Sequence, residues 1–487
     1  MNGAGYSTPA GDRAAPAVVI AAPASGSGKT TLATGLIGAL RRAGHRVAPF
    51  KVGPDYIDPG YHGLAAGRPG RNLDPVLVGA DRVAPLYRHG SAGCDLAVVE
   101  GVMGLFDGRI DDADVRPVAE GSTAQVASLL GAPVVLVVDA RGHSQSLAAL
   151  LHGFATFDSG IRLGGVILNR VGSERHEQVL RAACARVGLP VLGALPRMAE
   201  LEVPSRHLGL IPAVEHGAAA TTAVAAMTDL VAAHVDLAAV AALARGTVGG
   251  PAWNPADELA STSEVGPLAI EDRSGVGGDG PLVAMAGGPA FTFGYAEHRE
   301  VLAAASARVV VFDPLRDELP AGTAGLVLPG GFPEEHAAAL AANTPLLEQI
   351  RAQAAAGLPI HAECAGLLYL TRSLDGHAMA GVLDADAEFG PRLTLGYRDA
   401  VAVADSPLWR AGERVRGHEF HRTRLVRADT SRPAWGWRDP AGAAVREGLV
   451  THRVHASYLH THPAGNPSAT ARFVAAAAEY ATARATH

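Results

Sequence analysis

The stretch that decides the fold is VVIAAPASGSGKTT, residues 18–31. An apolar run leads into a glycine-rich turn and then into the helix-like segment 32–37. This order is typical of a phosphate-binding loop, because glycines let backbone N–H groups turn toward an anion and the helix N-terminus adds partial positive charge. Lys29 adds a full charge, and the Thr30 hydroxyl is placed to bind Mg²⁺. The sequence therefore predicts a site for a nucleoside triphosphate.

The loop supplies a contiguous set of predicted ATP contacts, namely Gly26, Ser27, Gly28, Lys29, Thr30 and Thr31. The strict form of the loop has a further glycine upstream, whereas residues 22–24 read Ala-Pro-Ala, so this is the deviant form. A glycine-rich turn that binds no ligand is the alternative. The presence of strand, loop, lysine and helix in the right order argues against it.

The composition is that of a well-buried globular protein without a nucleic-acid or membrane partner. The 487 residues are enough for two or three domains of roughly 150 residues each. Hydrophobic residues make up 48% and charged residues 18%, and the net charge of −7 leaves no basic footprint for nucleic acid. No apolar run reaches the length of a membrane span. Lys29 and Lys51 are the only lysines, which we attribute to a composition bias of the coding genome.

The cysteines and the N-terminal segment indicate a cytoplasmic protein. Cys94, Cys184 and Cys364 form an odd, sparse set, which favours a reducing compartment and argues against a disulfide framework. Residues 1–16 are polar and glycine-rich and lack the apolar core of a signal peptide. We predict that they form a disordered tail.

Residues 17–243 are predicted to form a first α/β domain. Apolar runs without polar alternation, separated by helical patterns, predict a parallel sheet covered on both faces. The runs are 17–21, 47–50, 96–99, 134–138 and 164–168, and the alanine-rich segment 218–243 predicts helix. The glycine- and proline-rich segment 244–280 then predicts a linker.

A second α/β domain is predicted over residues 281–475. Its apolar runs are 282–286, 309–312, 325–328 and 359–362. From about residue 380 to 462 the strands are predicted to be shorter and more polar, as in 400–403.

Polar residues follow two strands of the first domain, where the carboxyl ends of a parallel sheet form a ligand crevice. The residues predicted to line the substrate and phosphoryl site after the second run are Lys51, Asp55, Tyr56 and Asp58. Glu100 ends the third run, and an acid at this place typically enters the Mg²⁺ shell beside a phosphate loop. Glu100 is therefore the first metal candidate, together with Thr30, and Asp55 is the second.

Asp107 and Asn169 each leave two roles open. Asp107 is a candidate for the phosphoryl site, but Asp107 and Asp58 are also suited to capping a turn or a helix. Asn169, within Leu-Asn-Arg after the fifth run, is suited either to reading adenine or to a plain loop role.

The second domain contains a candidate nucleophile. Cys364 stands on a predicted strand-to-helix turn, where the side chain is pushed outward and helix N-terminal N–H groups lower its pKa. A histidine of the distant segment 457–462, which contains His460 and His462, would supply the base of an activated thiolate for acyl transfer. Gly330 and Gly331 follow another strand, and their N–H groups suit an oxyanion hole. For Cys364 alone, a buried inert thiol is the alternative.

Two histidine-containing segments raise the question of a metal. His460 and His462 form a pair, and residues 417–421 read Gly-His-Glu-Phe-His. No Cys or Glu stands at a suitable spacing near the pair, so a metal site is the lesser alternative.

Across almost the whole chain these motifs resemble the a,c-diamide synthases of cobalamin biosynthesis. The resemblance rests on the phosphate loop and on segments 50–60, 100–108, 329–334, 361–366 and 417–421. More narrowly, it is to the actinobacterial branch that acts on hydrogenobyrinic acid. It implies an α/β fold with a P-loop NTPase-like, dethiobiotin synthetase-like parallel-sheet domain, followed by a class I glutamine amidotransferase-like α/β domain.

The resemblance implies a glutamine-hydrolysing carbon–nitrogen ligase that uses ATP and Mg²⁺. Glutamine would be hydrolysed at Cys364 through a thioester, with His460 activating the thiol. ATP would phosphorylate the c- and a-acetate carboxylates of hydrogenobyrinic acid, and ammonia would displace the phosphate. The substrate-side roles fall on Asp55, Tyr56, Asp58, Glu100 and Asp107. The resemblance also allows a homodimer.

One position departs from the pattern of triad glutaminases, which carry a glutamate two residues after the histidine. Here that position is His462, so the resemblance implies a dyad of Cys364 and His460.

Three alternatives stay open at this point. The first keeps the chemistry but acts on cobalt-containing cobyrinic acid or on a nickel sirohydrochlorin. The second is a deviant-loop switch ATPase, which gives no role to Cys364 and would need a basic or membrane-binding segment that the sequence lacks. The third is dethiobiotin synthetase-like chemistry without a glutaminase, against which the whole region 281–475 argues.

Overall fold

The chain forms two compact units, Met1–Trp253 and Asn254–His487. The structure, a computed structural model, describes residues 14–110, 116–158, 160–197, 205–206, 209–210, 212–246, 248–262, 280–428 and 431–486. Most of the predicted tail, residues 1–16, lies outside these ranges. No helix among the described residues is long and apolar enough to cross a bilayer.

A seven-stranded parallel sheet forms the centre of the first unit. Its strands are β1 (Ala17–Ala21), β2 (Val47–Val52), β3 (Arg71–Leu73), β4 (Leu96–Glu100), β5 (Val134–Asp139), β6 (Leu163–Val171) and β7 (Val191–Pro196). Their order across the sheet is β3-β2-β4-β1-β5-β6-β7. The strands β1 and β4 are buried along their whole length, as expected for a parallel sheet that is covered on both faces. The predicted parallel sheet is confirmed.

Helices and a two-stranded antiparallel sheet belong to the first unit as well. The helices are α1 (Lys29–Arg42), α2 (Asp58–Ala66), α3 (Pro75–Val78), α4 (Ala80–Gly90), α5 (Thr123–Leu130), α6 (Leu147–Thr156), α7 (Glu174–Arg186), α8 (Ala213–His216), α9 (Ala218–His234) and α10 (Leu237–Leu243); the two strands are β8 (Ser205–Arg206) and β9 (Gly209–Leu210). The helical segment predicted over 218–243 is thus divided in two. Asp236 begins α10, because its carboxylate accepts a hydrogen bond from the Ala239 N–H at 2.9 Å.

Glycines let α1 lie directly on α9. A Cβ atom at Gly35 would come within 2.4 Å of the Met227 carbonyl oxygen and 2.5 Å of Val231 Cγ2. The helix that begins at the phosphate loop is therefore fixed by close backbone packing one to two turns from its start.

A six-stranded sheet forms the centre of the second unit. Its strands are β10 (Leu282–Ala286), β11 (Arg308–Phe312), β12 (Thr323–Leu328), β13 (Ile360–Glu363), β20 (Leu449–Thr451) and β21 (Val454–Ser457), in the order β11-β10-β12-β13-β21-β20. All neighbours are parallel except β20, which runs antiparallel to β21. The helices are α11 (Pro255–Thr262), α12 (Ala296–Ala304), α13 (Ala337–Ala342), α14 (Thr344–Ala355), α15 (Ala365–Leu370) and α16 (Pro467–Ala485), with a 3₁₀ turn at Pro333–His336.

A second sheet of this unit is built on a long hairpin. Its strands are β14 (Ser373–Leu374), β15 (His377–Ala378), β16 (Asp386–Ala402), β17 (Arg414–Val426), β18 (Trp435–Arg438), β19 (Ala444–Glu447) and β22 (His460–Thr461). The prediction of shorter strands in this region is wrong for β16, which has 17 residues, and for β17, which has 13. It is confirmed for the five strands from β18 to β22, which have two to four residues each. Exposed residues interrupt the buried ones along β17, so polar side chains break the apolar pattern without ending the strand.

Helices are found beyond both predicted boundaries of the second domain, residues 281 and 475. Within the predicted linker 244–280, residues 255–262 form α11, and residues 263–279 lie outside the described ranges. The last helix, α16, continues past residue 475, because Phe473, Ala477 and Tyr480 are buried in the core of this unit.

We predict that Gly35→Ala lowers the free energy of unfolding of the first unit by about 1–3 kcal/mol, because the added methyl group overlaps the α9 backbone. Gly153→Ala is the matched control, since this helical glycine of α6 has no atom within 4 Å of its Cβ position. The control should stabilise by roughly 0.4–1 kcal/mol. Thermal unfolding would measure both effects, and hydrogen exchange of α1 would measure that of Gly35→Ala. Equal stability of the two variants would contradict the packing described.

Candidate active sites

The phosphate loop joins β1 to α1 with its glycines in left-handed backbone conformations. Gly26 has φ 77° and Gly28 has φ 90°. At Gly28 a side chain is also excluded by space, since a Cβ atom would lie 2.3 Å from Asn169 Nδ2. The Lys29 ammonium donates to the Met103 carbonyl oxygen at 2.6 Å. Burial and the nearby Lys51 ammonium lower the pKa of Lys29 to about 8.

Side chains from two neighbouring strands hold this loop in place. Asn169, near the end of β6, donates through Nδ2 to the Ser27 carbonyl oxygen at 2.9 Å. The next residue, Arg170, donates to the Gly26 carbonyl oxygen at 2.9 Å and to Asp139 Oδ2 at 2.6 Å. Of the two roles open for Asn169, the geometry favours that of holding the loop. The pair Arg170–Asp139 was not predicted as part of the site, because only the order of strands brings it to the loop.

A buried lysine between carboxylates forms the second part of the site. Lys51, near the end of β2, lies 2.6 Å from Asp58 Oδ2 and 2.9 Å from Glu100 Oε1. The Thr30 hydroxyl donates to the same Glu100 oxygen at 2.7 Å and lies 3.1 Å from Asp58 Oδ2. The structure therefore brings together four of the predicted residues, from α1, α2, β2 and β4.

His62 belongs to this cluster and was missed in the sequence. It is fully buried on α2, and its Nε2 lies 2.7 Å from Glu100 Oε2. The spacing Asp58–His62 is i, i+4, which places two polar side chains on one face of a helix. That spacing was the signal in the sequence from which His62 could have been predicted.

The two acids of the cluster, Glu100 and Asp58, differ in how readily they lose a proton. Burial raises the pKa of Glu100, but Lys51 and His62 outweigh it and hold this pKa well below its ordinary value. Burial and the neighbouring Asp55 carboxylate raise the pKa of Asp58. Burial alone would lower the pKa of Lys51, but the surrounding carboxylates raise it. Lys51 and Glu100 thus form a charged pair, and Asp58 is the acid that accepts a proton more readily.

The other predicted residues of this unit have structural contacts beside the cluster. Asp55 Oδ1 accepts from the N–H groups of Ile57 and Asp58 at 2.8 and 3.0 Å, and its other oxygen lies 3.8 Å from Lys51 Nζ. Asp107 Oδ2 accepts from the Gly104 N–H at 2.9 Å, which is the turn-capping role left open for it. Tyr56 is buried next to Asp55.

In the second unit, Cys364 lies at a sharp turn between β13 and α15. Its backbone has φ 49° and ψ −99°, a left-handed φ that L residues rarely adopt. The Cys364 N–H donates to the Ser457 carbonyl oxygen at 2.7 Å, which holds the turn against β21. At Gly366 a Cβ atom would lie 2.2 Å from the Leu328 carbonyl oxygen, so only glycine fits there. This is the geometry of a nucleophile elbow.

Two backbone amides point at the thiol. The N–H groups of Gly331 and Ala365 donate to the Cys364 sulfur, and both interactions favour the thiolate. Gly331 was a predicted oxyanion donor. Ala365 was missed, although the residue after an elbow nucleophile often supplies this donor. Burial and the Glu334 carboxylate nevertheless raise the pKa of Cys364, so the predicted lowering is wrong as a net effect. The thiol therefore needs a base.

The candidate base, His460, is buried in β22, next to Gly330. A Cβ atom at Gly330 would lie 2.4 Å from His460 Cε1. His460 pairs with His418 across β17 and β22. Among the described residues, no group of three or more His, Cys, Asp or Glu side chains is placed to hold a metal ion.

Two family models match the chain. The CobQ/CobB/MinD/ParA nucleotide binding domain matches residues 18–211, and the CobB/CobQ-like glutamine amidotransferase domain matches residues 283–467. The hydrogenobyrinate a,c-diamide synthase of Mycobacterium bovis is 63% identical over 462 residues, which are 95% of this chain and 98% of that protein. The chain belongs to the a,c-diamide synthase family.

Other a,c-diamide synthases match with similar coverage. The hydrogenobyrinate enzyme of Streptomyces coelicolor is 56% identical over 95% of this chain and 97% of its own length. The cobyrinate enzyme of a Synechococcus species is 38% identical over 93% of this chain and 96% of its own. The predicted family and the two predicted domain types are confirmed, and the chain is a glutamine-hydrolysing amide ligase with a nucleotide-binding domain.

We predict that Gly330→Ala lowers the rate of glutamine hydrolysis by about 10²-fold, because the added methyl group displaces the His460 ring. Gly294→Ala, with nothing within 4 Å of its Cβ position, is the control and should keep the wild-type rate. Ammonia release from glutamine measures both. Full activity of Gly330→Ala would show that the ring position is not needed.

Proposed function

We propose that this a,c-diamide synthase converts the a- and c-acetate carboxylates of hydrogenobyrinic acid to amides, using ATP and glutamine. The choice of substrate is supported by identity to the curated relatives. Those named for hydrogenobyrinate range from 63% down to 43%, whereas two named for cobyrinate reach 38% and 40%. Cobyrinic acid is the second candidate.

The glutaminase half rests on the elbow that carries Cys364. We propose that His460 takes the thiol proton and that the sulfur attacks the side-chain amide of glutamine. The N–H groups of Gly331 and Ala365 then stabilise the negative oxygen of the tetrahedral intermediate. The protonated histidine gives its proton to the leaving nitrogen, so that ammonia departs and a thioester remains. Water then releases glutamate and restores the thiol.

The ligase half rests on the phosphate loop and the cluster around Lys51. A carboxylate is a poor electrophile, and transfer of the γ-phosphoryl group from ATP to a substrate carboxylate makes an acyl phosphate that ammonia can attack. We propose that Lys29 leaves the Met103 carbonyl oxygen to contact the phosphates. Lys51, close to three carboxylates, is then placed to offset charge on the phosphoryl group as it moves.

The donor set fits Mg²⁺, which prefers hard oxygen ligands. The Thr30 hydroxyl and the buried Glu100 carboxylate lie 2.7 Å apart at the start of α1. We propose that these two residues hold the ion, which when bound neutralises part of the triphosphate charge.

We further infer a cytoplasmic location, since Cys94, Cys184 and Cys364 are all free thiols. The resemblance also allows a homodimer, and the molar mass from light scattering would show whether the chain forms one.

Incubation of the full chain with hydrogenobyrinic acid, ATP, Mg²⁺ and glutamine should give a product with two new amides by mass spectrometry. Cobyrinic acid under the same conditions should react more slowly. An unchanged hydrogenobyrinic acid would refute the proposed substrate, and faster amidation of cobyrinic acid would favour the second candidate.

Two variants should separate the two halves of the reaction. Cys364→Ala should abolish glutamine-dependent amidation but retain amidation with free ammonia, because only the source of nitrogen is lost. Lys29→Ala should abolish both, because the carboxylate is no longer activated. Loss of the ammonia-dependent reaction in Cys364→Ala, or ATP-dependent product from Lys29→Ala, would contradict this division.

A further inference from the structure

The residue that stands where triad glutaminases carry glutamate does not support His460. His462 packs its ring against Tyr295, with 4.1 Å between ring centroids. Its Nδ1 lies 3.2 Å from the Ala464 backbone nitrogen, which donates to it. His462 is thus engaged within its own turn, and an imidazole could not replace a carboxylate in stabilising positive charge on His460.

A different carboxylate faces His460. Glu363 is the last residue of β13, directly before Cys364. Its Oε2 lies 3.7 Å from His460 Nδ1. Its Oε1 accepts from the Thr461 N–H at 3.1 Å and from the Thr461 hydroxyl at 2.9 Å. Because Thr461 follows His460 in the chain, these two hydrogen bonds fix the carboxylate relative to the imidazole.

Other histidines lie near Glu363 and His460, and they leave the negative charge of the Glu363 carboxylate in place. His361 Nε2 lies 3.3 Å from Glu363 Oε1, the carboxylate oxygen that also accepts from Thr461. His298 of α12 and His455 of β21 also face Glu363, and His418 of β17 faces His460. Burial lowers the pKa of His298 to about 4 and those of His455 and His418 to about 3, so all three are neutral at pH 7.

The carboxylate itself is ionised. Burial would raise the pKa of Glu363, but the neighbouring His361 and His460 imidazoles hold it well below the ordinary value. A negative charge is therefore present beside His460 before glutamine arrives.

We propose that Glu363 is the positioning residue of the glutaminase, orienting His460 and stabilising its protonated form, so that Cys364, His460 and Glu363 act as a triad. This inference rests on the proposed roles of Cys364 and His460. With the Nδ1–H of His460 directed at Glu363 Oε2, the imidazole carries its basic lone pair on Nε2, the nitrogen that we propose takes the thiol proton. The separation of 3.7 Å is longer than a hydrogen bond, and we expect it to shorten when the imidazolium forms.

The test compares Glu363→Gln with the wild-type full chain in two measurements. The first is kcat and KM for glutamine hydrolysis, followed by ammonia release. The second is the pH dependence of Cys364 alkylation by iodoacetamide, with the Cys364 peptide followed by mass spectrometry to separate it from Cys94 and Cys184. Gln has the shape of Glu and still accepts the Thr461 hydrogen bonds, but carries no charge.

We expect kcat to fall by about 10-fold or more with KM unchanged, and the midpoint of alkylation to move to higher pH. The direction of that shift is decisive. A carboxylate that acts only through space on the adjacent thiol disfavours the thiolate, so its removal would move the midpoint to lower pH. A midpoint that falls or stays, an unchanged kcat, or a change in KM alone would each overturn the proposal.

Controls separate this result from misfolding and from failure of the proposed function. Glu447→Gln changes another buried acid, which accepts from Ser457 Oγ at 2.6 Å and from the Tyr458 N–H at 2.8 Å. Burial raises the pKa of Glu447 to about 8, so this variant alters the side chain but removes little negative charge at pH 7, and it should not move the midpoint. Glu363→Asp keeps the charge and should recover part of kcat. If Glu363→Gln amidates the substrate with free ammonia at the wild-type rate, its ligase site is intact. If glutamine hydrolysis survives Cys364→Ala, Cys364 is not the nucleophile, and the proposed function rather than the role of Glu363 is refuted.

Discussion

The burial of Lys51 between two carboxylates is the constraint on which the nucleotide-binding unit depends. Its ammonium joins the end of β2 to the start of α2 and the end of β4, and the Thr30 hydroxyl ties the start of α1 to the same two acids. Removing one partner of a buried ion pair commonly costs about 3–5 kcal/mol, because the other charge is left without solvent or counter-charge. The site and the topology of its sheet are therefore stabilised by the same contacts.

The fold was predictable where the signal is local. The strand, loop and helix of residues 18–37 are specified by neighbours in sequence, and buried parallel strands give unbroken apolar runs. The hairpin of β16 and β17 was misjudged because its strands are half exposed, and polar residues such as Arg416 alternate with buried ones. The break between α9 and α10 depends on a single cap, Asp236, which composition does not reveal.

The residues of the two candidate sites were likewise predictable where the signal is local. Lys29 is found from the phosphate-loop motif, and Cys364 and Glu100 are found from their place at strand ends. His62 could have been predicted from helical spacing alone. Arg170 and Glu363 could be placed in the sites only with knowledge of the strand order in the sheets. In particular, the neighbours β13 and β21, together with the turn that leads to β22, bring Glu363 to His460, which is 97 positions away in the numbering of the chain. No pattern within one segment contains that information.

The two lysines have a consequence for chemical labelling. Every ε-amino group in this chain belongs to the nucleotide-binding cluster or its loop, since arginine serves everywhere else. Lys51 is held as an ammonium, while the pKa of Lys29 is lowered to about 8, which leaves a reactive amine fraction near neutral pH. A small acylating reagent would thus discriminate between the two by basicity alone. Protection of Lys29 by nucleotide would then report occupancy of the loop without any engineered probe.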